Sequence, residues 1–282
     1  MAIFVICLIM EELLNLFYAA VTIFTFLVVV FAIIFVVYTR ISGRTYQPFT
    51  FIKGGLASPY RRPLEKHFRY YQQLSISQKR EFERRLNNFI HNKYFIPMHG
   101  MKVTAEVKSL ISASAIQLTF GLPEIYFVHF TKILVFPGQY YNRKTNSRHK
   151  GEVNENGVIA FSWRDFVEGY INHEDTYNVG LHEMAHALSL ENRIKNQEYR
   201  FFDEQKLRRW TVLADAEFEK LKMGHSSFLR AYAGSNRDEF FPVCIEHFFE
   251  RPGEFNSEAP QLYLALCDLL NQDPLKASMP VN

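Results

Sequence analysis

The sequence predicts an α+β chain, a mainly helical domain with a small sheet, preceded by a single transmembrane helix. Three observations carry this. Residues 13–38 form an almost unbroken apolar run without a single charge. Beyond it, apolar residues recur at helical spacing through several long segments. Only two short runs, 132–136 and 157–162, combine β-branched and aromatic residues with flanking turn formers in the manner of strands.

As a helix, residues 13–38 would be about 39 Å long, enough to cross a ~30 Å hydrocarbon core with tilt. Core helices of soluble domains rarely stay uncharged for so long. A cleaved leader fits poorly, because no basic stretch precedes the run and no Ala-x-Ala site follows it. Met10 is an alternative start that leaves the run intact. Glu11 and Glu12 precede it, whereas Arg40, Arg44, Lys53, Arg61, Arg62, Lys66 and Arg69 follow. The positive-inside rule then places everything after the bilayer-spanning residues 13–38 in the cytoplasm. The expected organisation is a tail over 1–12, a transmembrane helix over 13–38, a juxtamembrane linker over 39–63 and one domain over 64–282.

Glycines and prolines break up residues 39–63. Residues 64–95 read as helix with a break at Leu74–Ser77, where Ser77 is the expected cap of a charged amphipathic helix. A helix over 102–120 ends at Gly121. The strands 132–136 and 157–162 flank a polar stretch, 139–156, whose Asn142, Lys144, Asn146, Asn154 and Asn156 predict a loop. A further helix is expected over 195–225, around Leu207, Trp210, Leu213 and Phe218, and a buried one over 236–249. Pro242 requires the last to start near Asp238 or to kink, since proline is tolerated only in a first turn.

The most informative stretch is Leu181-His182-Glu183-Met184-Ala185-His186-Ala187-Leu188. On a helix, residues i and i+4 stand one above the other, so His182 and His186 can reach one ion. Glu183 can reach a water on that ion. Two neutral imidazoles and a carboxylate are what a Zn²⁺ hydrolase needs. The surrounding Leu, Met and Ala residues predict a helix buried on most sides, where an unpartnered polar trio would be costly. Asn178 or Thr176 can cap its start.

A catalytic zinc site needs a third protein ligand. The ligand candidates downstream are Asp203, Glu204, Asp215, Glu217, Glu219, Glu239, Glu246, His247 and Glu250. A carboxylate followed directly by Phe240 and Phe241 is rarely buried for packing alone, which favours Glu239. Glu246 shares its helix face and can orient a ligand histidine through the other ring nitrogen.

The formal net charge of +3 gives no nucleic-acid footprint. The three cysteines, Cys7, Cys244 and Cys267, have no pairing or Cys-x-x-Cys spacing, which fits reduced thiols and excludes a thiolate zinc site.

Together these segments resemble the Mlc titration factor A family of zinc peptidases, whose site is similar to that of the anthrax lethal factor catalytic domain. The resemblance rests on the stretch around His182, Glu183 and His186, on Asp238-Glu239-Phe240-Phe241 and on Glu246-His247-Phe248-Phe249. Val135-Phe136-Pro137-Gly138, Val158–Trp163 and Asn271-Gln272-Asp273-Pro274 add to it. It implies a gluzincin-like, zincin-type fold, with His182, His186 and Glu239 as zinc ligands and Glu183 as general base. It also implies a tyrosine seven residues before the glutamate ligand, where Tyr232 stands, able to donate to an oxyanion. Ser189 replaces the family's usual aspartate, a contact that Glu191 or Asn192 could rebuild.

The expectation is a membrane-anchored zinc metallopeptidase acting on a peptide or protein substrate, with aminopeptidase-type activity implied by the resemblance. The strand over 157–162 is the expected docking edge for an extended substrate, and Glu174 or Asp175 a candidate anchor for its free amine. The alternatives are a module that holds a regulatory protein partner with zinc mainly structural, and a peptidase gated by the 139–156 loop.

Overall fold

The computed structural model describes residues 2–42, 55–143, 145–172, 175–196, 198–225 and 228–276. The chain divides into two units, one built on the N-terminal helix and one comprising residues 47–194 and 198–282. The first contains helix α1 (Ala2–Ser42). Its stretch Glu12–Ile34 has a mean hydropathy of 2.7 and is long and apolar enough to cross a membrane. The hydroxyls of Thr22 and Thr25 donate to the carbonyls of Tyr18 and Val21, each at 2.8 Å. These two hydroxyls are thereby satisfied within the helix.

The second unit begins with α2 (Ser58–His67), α3 (Arg69–Gln73) and α4 (Ile76–His91). Helix α4 is capped by Ser75 rather than Ser77. Gln78 stands three residues after Ser75, and the two exchange bonds: the Gln78 amide donates to Ser75 Oγ at 3.3 Å, and the Ser75 amide donates to Gln78 Oε1 at 2.9 Å. This reciprocal box leaves Ser77 inside the first turn. Strand β1 (Tyr94–Pro97) and helix α5 (Ala105–Thr119), capped by Thr104, follow.

Strands β2 (Lys132–Phe136) and β6 (Val158–Ser162) lie where the pattern places them. Between them the expected loop instead contains β3 (Tyr140–Asn142), β4 (Ser147–His149) and β5 (Gly151–Asn154). These are too short and polar to show an alternation. Strands β3 and β4 form an antiparallel ribbon, and the main sheet has the order β1-β2-β6-β5. Strands β1, β2 and β6 run parallel, and β5 returns antiparallel to β6. Gly157 makes that return possible, with φ at +77° and the His129 carbonyl 2.4 Å from where a Cβ would sit. Strand β6 is therefore interior and cannot be the docking edge. The edge strands of this sheet are β1 and β5.

Helices α6 (Trp163–Ile171), α7 (Val179–Arg193), α8 (Glu204–Lys222), α9 (Arg237–Glu250), α10 (Pro252–Glu258) and α11 (Pro260–Leu270) complete the unit, with a 3-10 turn at Ala231–Gly234. Helix α8 starts at Glu204, not near 195, because Asp203 caps it by accepting from the amides of Gln205 and Lys206. Pro242 lies beyond the first turn of α9 and removes the amide that would bond the Asp238 carbonyl. Asp238 is exposed, so water can take that carbonyl. Helix α7 packs between α5 and α9 and against β5 and β6. Its buried Leu181, Met184, Ala185, Ala187 and Leu188 face this core.

Candidate metal centre

Helix α7 starts where Asn178 fixes it. Asn178 Oδ1 accepts from the Leu181 amide at 3.0 Å, its own amide donates to Glu246 Oε1 at 2.8 Å, and its Nδ2 donates to Glu250 at 2.9 Å. One side chain thus caps α7 and ties it to α9, which sets the histidines of one helix against the acids of the other. Thr176, the alternative cap, is buried at a φ of 61° just before it.

His182 Nε2 and His186 Nε2 lie 3.2 Å apart. Glu239 Oε2, from the first turn of α9, lies 3.1 Å from the former and 3.3 Å from the latter. Zinc bonds of 2.0–2.1 Å in a tetrahedron set ligand–ligand edges of roughly 3.3–3.4 Å. The three donors therefore form one face of such a tetrahedron, and two imidazoles with one carboxylate suit a zinc-like ion. They are the group of His, Cys, Asp and Glu donors among the described residues that could hold a metal.

The other candidate ligands point elsewhere. Asp203 caps α8, Glu204 pairs with Arg208, Asp215 with Arg237, and Glu217 with Lys220. Glu219 pairs with Lys222, Glu250 accepts from Asn178, and His247 is buried with Nδ1 on the Val243 carbonyl.

Glu246 is almost fully buried, and its Oε2 lies 3.2 Å from His182 Nδ1 and against the Arg230 guanidinium. This keeps Nδ1 protonated and aims Nε2 at the point where Glu239 and His186 converge. Arg230 was not foreseen. It sits over the Tyr177 ring at 4.0 Å and balances the buried Glu246, yet nothing in its local sequence marks it.

Burial opposes a charge on His182, but Glu239 and Glu246 push the imidazole up to about 10. Burial likewise raises Glu239, yet the two histidines hold it far below the usual carboxylate range. The pocket attracts positive charge, as a cation site must. Glu183 is buried one residue from His182, and burial, partly offset by both histidines, pushes its carboxyl up to about 7.

Gly151 on β5 is the second residue missed. A Cβ there would stand 2.5 Å from Glu183 Cγ and Oε1. A glycine in a strand marks a close approach, but this segment reads as loop in the sequence. Tyr232 lies in the 3-10 turn, half-exposed, its ring 6.1 Å from that of His182. Burial and the nearby Glu239 push its phenol up to about 12.

The residues offered for other roles lie apart from the donors. Glu191 accepts from the His129 amide and Asn192 from the Phe202 amide. Asp175 closes a turn with Asn172 and the Tyr177 amide, and Glu174 lies outside the described residues. A cleft of about 990 Å³ runs past the donors, with β5 on one side and α8 and α9 on the other.

An α+β domain with this donor triad and a buried glutamate beside it defines a metallopeptidase-type protein. The chain belongs to the family described as glucose-regulated metallo-peptidase M90, which matches residues 50–270. Membership implies a metal ion, and the His, His, Glu group could hold it. Among its relatives is an uncharacterized protein of Synechocystis sp., 26% identical across 77% of this chain and 87% of that protein. Mlc titration factor A of Escherichia coli O7:K1 is 26% identical across 67% of this chain and 77% of its own length. The Shigella flexneri Mlc titration factor A is 25% identical over the same shares.

Proposed function

We propose that this chain is a membrane-anchored zinc peptidase in which His182, His186 and Glu239 hold Zn²⁺. The observation that carries this is the convergence of three donor atoms at 3.1–3.3 Å with the buried Glu183 beside them. Zinc held there would supply Lewis acidity and would bring the pKa of a bound water to about 7. Glu183 takes the proton of the attacking water and delivers it to the leaving amine. Tyr232 keeps its proton at neutral pH and donates to the developing oxyanion. Glu246, neutralised by Arg230, fixes His182 by accepting from Nδ1. No strand among the described residues pairs with the free edge of β5, so an extended peptide can add there and lie along the cleft.

The apolar stretch of α1 supports anchoring, and the cationic residues after it support a cytoplasmic domain. Aminopeptidase-type cleavage remains part of the proposal through the family resemblance. The Mlc titration factor A relatives are named for titration of Mlc, which favours a second reading, a site that holds a regulatory protein. The buried Glu183 weighs against holding alone, because a structural ion needs no base.

The test is hydrolysis of a mixed peptide library by the zinc-loaded full-length protein in detergent, beside Glu183→Gln. Cleavage lost in the variant with zinc retained supports the peptidase. Equal inactivity of both, with zinc bound, removes it and leaves the holding role.

A further inference from the structure

The two walls of the cleft differ in chemistry. The β5 side is mainly polar, carrying Glu152, Asn154 and Glu155 beside Val153. The opposite wall presents Leu190, one turn past His186, with Leu207 from α8 and Phe241 two residues after Glu239, all only partly buried, over the buried Trp210, and is edged by Arg193, Thr211 and Arg237. Trp210 and Phe241 meet edge-to-face at 5.8 Å. Partly covered apolar side chains facing a cavity of this size leave a site for apolar surface to be removed from water.

Direction along the cleft follows from β5. Its first residue, Gly151, lies against Glu183. Just beyond its last, the Glu155 carbonyl meets the His129 ring at 2.7 Å, and the His129 amide reaches Glu191 at 3.2 Å. Strand β5 thus runs in the direction of α7, from Glu183 toward Leu190. A peptide pairing antiparallel to β5 runs the other way, with its N-terminal side toward Leu190 and Leu207. We infer that the wall formed by Leu190, Leu207, Trp210 and Phe241 seats a bulky apolar or aromatic side chain of the residue that contributes the scissile carbonyl. The substrate class is then peptides cut after Phe, Tyr, Leu or Met. This rests on the peptidase reading above.

The test uses the full-length protein with zinc, in detergent. Labelled peptides identical except for Phe, Leu, Ala or Asp at one position are titrated into Glu183→Gln by fluorescence anisotropy. The same peptides are cut by the wild-type protein and the bond is mapped by mass spectrometry. Phe should bind on the order of 100-fold tighter than Asp and should lie on the N-terminal side of the cut. Leu207→Ala should reduce that ratio severalfold, with zinc content unchanged. Equal binding of all four peptides overturns the inference, and so does a preference for the residue after the cut, because it reverses the seating on β5. If the wild-type protein cleaves nothing while binding remains selective for Phe, the peptidase reading fails and the apolar seat stands.

Discussion

Gly151→Ala tests how closely strand and base are fitted. The new methyl carbon would lie 2.5 Å from Glu183 Cγ and Oε1, and 2.6 Å from Cδ. Ordinary carbon contacts fall at about 3.5–4.0 Å, so the overlap is on the order of 1 Å. Two adjustments can relieve it. The strand can move, at an overpacking cost of about 1–3 kcal/mol. Alternatively Glu183 can change rotamer, which moves Cγ and the carboxyl together away from the strand. A displacement near 1 Å in a reacting group lowers rate by about 100-fold, within the 10²–10⁴ range of a general base. The expected result is a fall in kcat of about 100-fold with zinc content unchanged and melting lowered by a few degrees. The assay is cleavage of the peptide preferred in the library, with metal analysis and thermal unfolding of the same sample. Full activity at full zinc content would refute the placement of Glu183 as the base against β5.

Three further outcomes are expected. Arg230→Met removes the guanidinium from the buried Glu246, and should lower stability by about 3 kcal/mol and weaken zinc binding by about tenfold; thermal scanning and competition with a chelator read the two effects. Burial, then the neighbouring Glu191, raises Glu198 from 4.5 to about 8, so between those values the folded chain keeps a proton that the unfolded chain has released. Stability should therefore fall as pH rises through that window, by at most about 1.4 kcal/mol per unit from this group, and comparison of wild type with Glu198→Gln across pH 5–9 should show the flatter profile in the variant. Removal of metal should lower melting by about 10 °C when the ion had been at a thousandfold excess over its Kd, and His186→Ala should make melting indifferent to chelator.

Legibility in the sequence followed the range of the interaction. His182 and His186 are neighbours through one helical turn, so their shared face follows from i, i+4 spacing. Glu239 could be favoured because its aromatic neighbours mark a buried helix, though only the α7–α9 packing brings its oxygen to the imidazoles. Ser75 could have been chosen over Ser77 from the Gln three residues later. Arg230 carries no local mark, since its partner is a buried acid on another element. The strands β3, β4 and β5 are too short to show a period.

The sequence by itself determined the long apolar N-terminal helix, the mainly helical α+β character and the paired histidines with their glutamate. Each is a matter of composition or of spacing within one element, where backbone geometry decides which side chains share a face. Only the tertiary structure decided that β6 is interior and β5 an edge, that Gly151 makes room for Glu183, and that Arg230 balances Glu246. An edge is defined by which strands pair, and a buried charge by what packs against it. Both depend on contacts between distant segments that form only when the whole domain closes.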